Sequence, residues 1–168
     1  VSTRFAKEIA CEFSKIDCDN LDFFYTISAN SPIIAGPSAG AAIAILTVSM
    51  LNELQLKDNV AITGTINSGG LIGSVGGLKA KIEAGKKAGM NKILIPKGKA
   101  IIEGNKTFDI ENLSKQNNVE ILEAATLAEA LGHFTGKKFE KKAVNVSIDP
   151  SYIETMKLLA IDLCSRST

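Results

Sequence analysis

Tryptophan is absent from this chain of 168 residues, histidine occurs once and cysteine three times, and neither sign of charge dominates. Each shortage closes a route. With 19 basic against 18 acidic residues the formal charge is +1, so no overall field draws the chain to nucleic acid or to an acidic membrane surface. Nine aromatic side chains, seven Phe and two Tyr, offer little for stacking on bases. Cys11, Cys18 and Cys164 are odd in number and lack paired ligand spacing. A disulfide framework or a zinc site is therefore not expected, although a single Cys11–Cys18 bridge stays open. Histidine chemistry could use only His133, which stands in Ala-Leu-Gly-His-Phe near an expected helix end, where a structural role is the ordinary one. The longest apolar stretch, Ala39 to Leu51, is interrupted by Thr47 and Ser49 and falls short of the roughly 18 to 20 residues that span a bilayer.

What is present fits one globular domain with a substantial core, for 45% of the residues are hydrophobic and 22% charged. The chain starts at Val1 without a methionine or a signal-like segment, so the expectation is a piece of a longer protein. Its compartment is left unknown, cytoplasmic or membrane-associated within that longer protein.

Phe5, Ile9 and Phe13 recur at helical spacing and predict a helix over residues 2–16. Residues 21–28, Leu-Asp-Phe-Phe-Tyr-Thr-Ile-Ser, are aromatic and β-branched and predict a strand, which Asn30-Ser31-Pro32 breaks. A helix apolar on nearly every side follows over about 38–54, and such a helix belongs inside the molecule. Residues 60–66 read as a strand, Asn67 to Gly70 as a turn and Leu71 to Val75 as the returning strand of a hairpin. Gly76-Gly77 opens another helix that stops near Ala88-Gly89, and Lys92 to Pro96 follows as a strand, which makes a β-α-β crossover. A helix over 109–117, a strand over 119–122 and a capping box Thr126-Leu-Ala-Glu129 complete this part. Residues 137–142, with four lysines, read as a solvated linker. Asp149-Pro150-Ser151 opens a last helix whose Ile153, Met156, Ala160 and Leu163 form an apolar stripe that could dock on the domain, a neighbouring subunit or a missing segment. Hairpin and crossover together indicate an α+β or mixed α/β fold.

The chemistry concentrates in Gly36-Pro37-Ser38-Ala39-Gly40. Read locally, Ser38 has two uses. Its hydroxyl can cap the helix that follows, or it can act as a nucleophile beside N–H groups that hold an oxyanion. A nucleophilic serine needs a base, and lysine is the remaining choice. Use of a lysine as base at neutral pH asks that its ammonium be destabilised by about 4 kcal/mol. A helix start and the apolar Val75, Leu78 and Ile82 offer a route to that. Lys79 and Lys81 both qualify by local sequence, and a solvated surface lysine is the plain alternative for either.

Taken in order, Gly36-Pro37-Ser38-Ala39-Gly40, Thr63-Gly64, Gly76-Gly77-Leu78-Lys79-Ala80-Lys81 and Ile93-Leu94-Ile95-Pro96 resemble the proteolytic domain of Lon serine proteases over most of residues 1–136. The resemblance implies the Lon proteolytic fold, similar to the ribosomal protein S5 domain 2-like fold, with residues 137–168 as a linker and C-terminal helical extension. It implies a serine endopeptidase acting on unfolded or damaged proteins, with Ser38 as nucleophile and Lys81 as general base, 43 positions apart as in the family. Thr63 would orient the lysine amine, Gly36, Pro37 and Ala39 would form the nucleophile loop with a candidate oxyanion hole at Ser38 and Ala39, and Gly76 and Gly77 would shape the lysine helix. It also implies protein or peptide substrates, a homo-oligomer in the form of a hexameric ring, and no cofactor in this chain; charge and composition indicate no nucleic acid, and no His, Cys, Asp and Glu cluster has the spacing of a metal site. ATP and magnesium would serve only a separate ATPase region, because no Walker motif occurs here.

The chain departs from the family at two places. Ala35 stands where many Lon proteins carry an acidic residue three places before the serine, and Phe24 and Thr26 stand where bacterial members have two histidines. Ala35 and residues 64–70 look closer to archaeal Lon-like proteins. Two alternatives follow. One is a Lon-like assembly module without turnover. The other is a phosphate-binding domain of the galactokinase and homoserine kinase type, which lacks support because the longer glycine–serine loop of that class is missing.

Overall fold

The structure is a computed structural model that describes residues 2–28, 36–98, 101–103, 106–139 and 150–165. Among these residues the chain runs α1 (Ser2–Ser14), α2 (Gly40–Leu51), β1 (Val60–Ile62), β2 (Thr65–Ile66), β3 (Ile72–Gly73), α3 (Leu78–Lys87), β4 (Lys92–Pro96), β5 (Ile101–Glu103), β6 (Lys106–Phe108), α4 (Ile110–Asn117), β7 (Glu120–Ala124), α5 (Leu127–Thr135) and α6 (Pro150–Ser165). The mixed α/β class expected from the hairpin and crossover patterns is the class observed.

A parallel sheet in the order β1-β4-β7 carries the fold, with Ala61 opposite Ile93 and Ile93 opposite Ile121. Successive residues of a strand face opposite sides, and β4 shows the consequence. Leu94 enters one buried cluster with Ile9, Ile45, Val48, Leu127 and Leu131. Its neighbours Ile93 and Ile95 enter another with Ile82, Leu113 and Ile121. Helices α1, α2 and α5 therefore cover one face and α3 and α4 the other, as a parallel sheet requires. Two small antiparallel hairpins, β2–β3 and β5–β6, complete the strands, and the second has no counterpart in the sequence reading.

Local signals set the helix ends. The Thr126 hydroxyl accepts from the Glu129 N–H at 3.2 Å, and the Glu129 carboxylate accepts in return from the Ala125 N–H at 2.7 Å. Asp109 caps α4 by accepting from the Glu111 N–H at 3.0 Å. Gly77 caps α3 at φ +68, a left-handed conformation that glycine adopts without steric cost.

Several expectations change. Residues 21–28 form no strand, because a strand needs a ladder partner and no described segment supplies one. Phe24 is 93% exposed, while the Tyr25 hydroxyl lies 2.9 Å from Thr47 Oγ1 and ties the segment to α2. Helix α2 is not enclosed on every side: it buries Ile43, Ala44, Ile45, Thr47 and Val48 but leaves Leu46 and Met50 exposed. The strand expected over 60–66 breaks at Thr63-Gly64, where the chain passes from the parallel sheet to the β2–β3 hairpin. Cys11 and Cys18 are joined in a disulfide that fixes the end of α1 to the loop after it. The described side chains of α6 after Pro150, including Ile153 and Met156, are exposed, so the apolar stripe finds no cover among the described residues. Ala35 and linker residues 140–149 lie outside the described residues.

Candidate active site

Ser38 lies in the turn before α2, and the cap position of that helix is Ala39, with no side chain capping it. The hydroxyl of Ser38 is thus not the cap that local sequence allowed. The loop is held through its backbone. The Ser38 carbonyl oxygen accepts from the Gly64 N–H at 3.0 Å, and the Gly64 carbonyl oxygen accepts from the Ala41 N–H at 3.1 Å. Gly40 N–H is committed to the Pro37 carbonyl at 3.0 Å. A nucleophile anchored to rigid elements in this way keeps its place.

Lys81 projects from the first turns of α3, where its N–H donates to the Gly77 carbonyl oxygen at 3.0 Å. Two clefts meet at this residue and Ser38. The first, about 310 Å³, is lined by Ser38, Ala39, Ala42, Thr63, Lys81 and Ile93 among others and is mostly apolar. The second, also about 310 Å³, is bordered by Gly36, Pro37, Ser38, Thr65, Gly76 and Lys81. Thr63 is buried at the end of β1, and its N–H donates to the Leu94 carbonyl at 3.1 Å. Among the described residues no direct hydrogen bond joins the side chains of Ser38, Thr63 and Lys81; they share a cavity instead. Catalytic hydrogen bonds of unliganded sites are often long and tighten only around substrate.

Lys79 goes elsewhere. Its ammonium pairs with the Glu83 carboxylate at 3.9 Å along α3 and lines neither cleft. His133 lines a separate cavity near Gly136 and Phe139, away from both serine and lysine. Gly77 serves as the α3 cap and borders neither cleft, whereas Gly76 borders the second. Sequence reasoning missed Ala42, Ala61, Ile62, Ala84 and Gly85 in the first cleft and Thr65 and Ser74 in the second. Helical spacing could have found Ala42, four places after Ser38, and Ala84 and Gly85, three and four places after Lys81.

A family model of the Lon protease (S16) C-terminal proteolytic domain matches residues 25–134. The chain belongs to this Lon family. Among curated Lon relatives, the Lon protease of Neorickettsia sennetsu is 34% identical over 113 residues, 66% of this chain and 13% of that protein. The archaeal Lon protease of Methanocaldococcus jannaschii is 29% identical over 123 residues, 73% of this chain and 17% of that protein. The Lon protease of Trichlorobacter lovleyi is 39% identical over 98 residues, 57% of this chain and 11% of that protein. Archaeal and bacterial Lon proteins thus both appear among the relatives, and the chain spans less than a fifth of the length of each of these three.

Proposed function

We propose that this Lon-family domain is a serine endopeptidase that cleaves unfolded or damaged polypeptides through Ser38 and Lys81. One observation carries the reading: Ser38 and Lys81, on different elements, together line two clefts on which an extended substrate could lie. Ser38 Oγ attacks the scissile carbonyl carbon while the neutral Lys81 amine takes the hydroxyl proton. The tetrahedral intermediate collapses as the peptide C–N bond breaks, and Lys81 returns that proton to the departing amine. Water then attacks the acyl-enzyme with Lys81 again as base, and Ser38 is regenerated. With Gly40 N–H and Ala41 N–H bonded within the protein, the N–H groups of Ser38 and Ala39 are the donors proposed for the oxyanion. Thr63, in the wall of the first cleft, would orient the lysine amine.

The reaction needs no cofactor or metal from this chain, and any ATP dependence would come from a separate ATPase region. Residues 1–136 form the proteolytic domain in this reading and 137–168 an extension, and the assembly is a homo-oligomeric ring, hexameric by family resemblance.

The test is hydrolysis of an unfolded protein by the wild type, Ser38→Ala and Lys81→Ala. Cleavage by the wild type alone supports the assignment. Cleavage that survives either substitution refutes it, and a wild type that fails to cleave favours the module without turnover.

A further inference from the structure

Gly64 stands where the Ser38 loop, the end of β1 and the β2–β3 hairpin meet. Its N–H and its carbonyl oxygen make the two hydrogen bonds, at 3.0 and 3.1 Å, that hold Ser38 and the start of α2. One residue earlier, the Thr63 N–H bonds to Leu94 of the central strand at 3.1 Å. Ser38 is therefore referenced to the sheet through the backbone of this short stretch. No room exists for a side chain there: a Cβ on Gly64 would overlap Ile72 Cγ2 and stand 3.5 Å from the Ala41 Cβ. The φ of Gly64 is not in the left-handed region, so the demand at this position is for space and not for glycine's torsional freedom.

We infer that Gly64 is a positioning residue for Ser38, its missing side chain allowing the two backbone hydrogen bonds to hold the loop at the working distance from Lys81. The inference rests on the serine-peptidase reading above. A methyl group at 64 has two ways out. It displaces Ile72, and with it the hairpin that brings Thr65 to the second cleft, or it opens the Gly64–Ser38 hydrogen bond. Both shift Ser38 relative to Lys81, and a misplacement of about 1 Å costs roughly a hundredfold in rate.

Kinetics of the 168-residue chain on a short fluorogenic peptide test this, with folding followed by circular dichroism and thermal melting. Gly64→Ala is expected to lower kcat about a hundredfold with KM within about threefold of wild type. Ile72→Ala, which removes the obstructing methyl, is expected to stay within about threefold of wild type, and Gly64→Ala combined with Ile72→Ala to regain at least about tenfold. The positioning role is overturned by a Gly64→Ala enzyme with unchanged kcat, by an effect on KM alone, by a folded double variant that regains nothing, or by loss of the fold in both backgrounds. A wild type without Ser38-dependent cleavage contradicts the peptidase reading itself and removes the ground of this inference with it.

Discussion

Ser38 and Lys81 line two clefts in common, one mostly apolar and one bordered by glycines and hydroxyls, whereas Lys79, two residues from Lys81, pairs with Glu83 at 3.9 Å. The two lysines should therefore separate sharply on mutation. Lys81→Ala is expected to lower kcat by about a thousandfold, within the range for loss of a general base, and Lys79→Ala to stay within about twofold, as a surface pair contributes little. Steady-state kinetics on one peptide substrate with both variants checks this.

Features written in local sequence were legible. The Gly77 cap, the stop at Gly89, the strand Lys92–Pro96 and the Thr126–Glu129 capping box stand where short-range chemistry puts them. Features decided by distant partners were not. Residues 21–28 have the composition of a strand, but a strand is completed only by its ladder, and Tyr25 instead bonds to Thr47 on α2. Val60 to Ile66 reads as one β-branched run, yet the packing of Ile72 on Gly64 and the bonds of Gly64 to Ser38 and Ala41 mark its break into two sheets. In the site, it was the resemblance to Lon proteases that singled out Ser38, Thr63 and Lys81. The apolar wall from Ala61 and Ile62 was hidden, since alanine and isoleucine on a cleft look like any core residue.

Stability should depend strongly on the middle strand. Leu94 is fully buried, in a cluster with residues of α1, α2 and α5, and Leu94→Ala is expected to cost about 3 kcal/mol from lost burial and the cavity left behind. Urea unfolding followed by circular dichroism would show a lower midpoint at an unchanged slope.

The Cys11–Cys18 disulfide closes a short loop that runs from the last turn of α1, the helix packed on α2, into the segment after it. Restricting such a loop in the unfolded chain contributes about 2 kcal/mol. Reduction, or Cys18→Ser, is therefore expected to lower the thermal midpoint without abolishing folding, and scans with and without reductant measure it.

The central claim is that Ser38 carries the acyl group and that Lys81 activates it. Intact-mass and peptide-mass analysis after incubation with a peptidyl fluorophosphonate tests both parts at once. The account predicts a single adduct on Ser38, absent from Ser38→Ala and formed at least about a hundredfold more slowly in Lys81→Ala. An adduct on another residue, or labelling of Ser38 that proceeds as fast without Lys81, would contradict it.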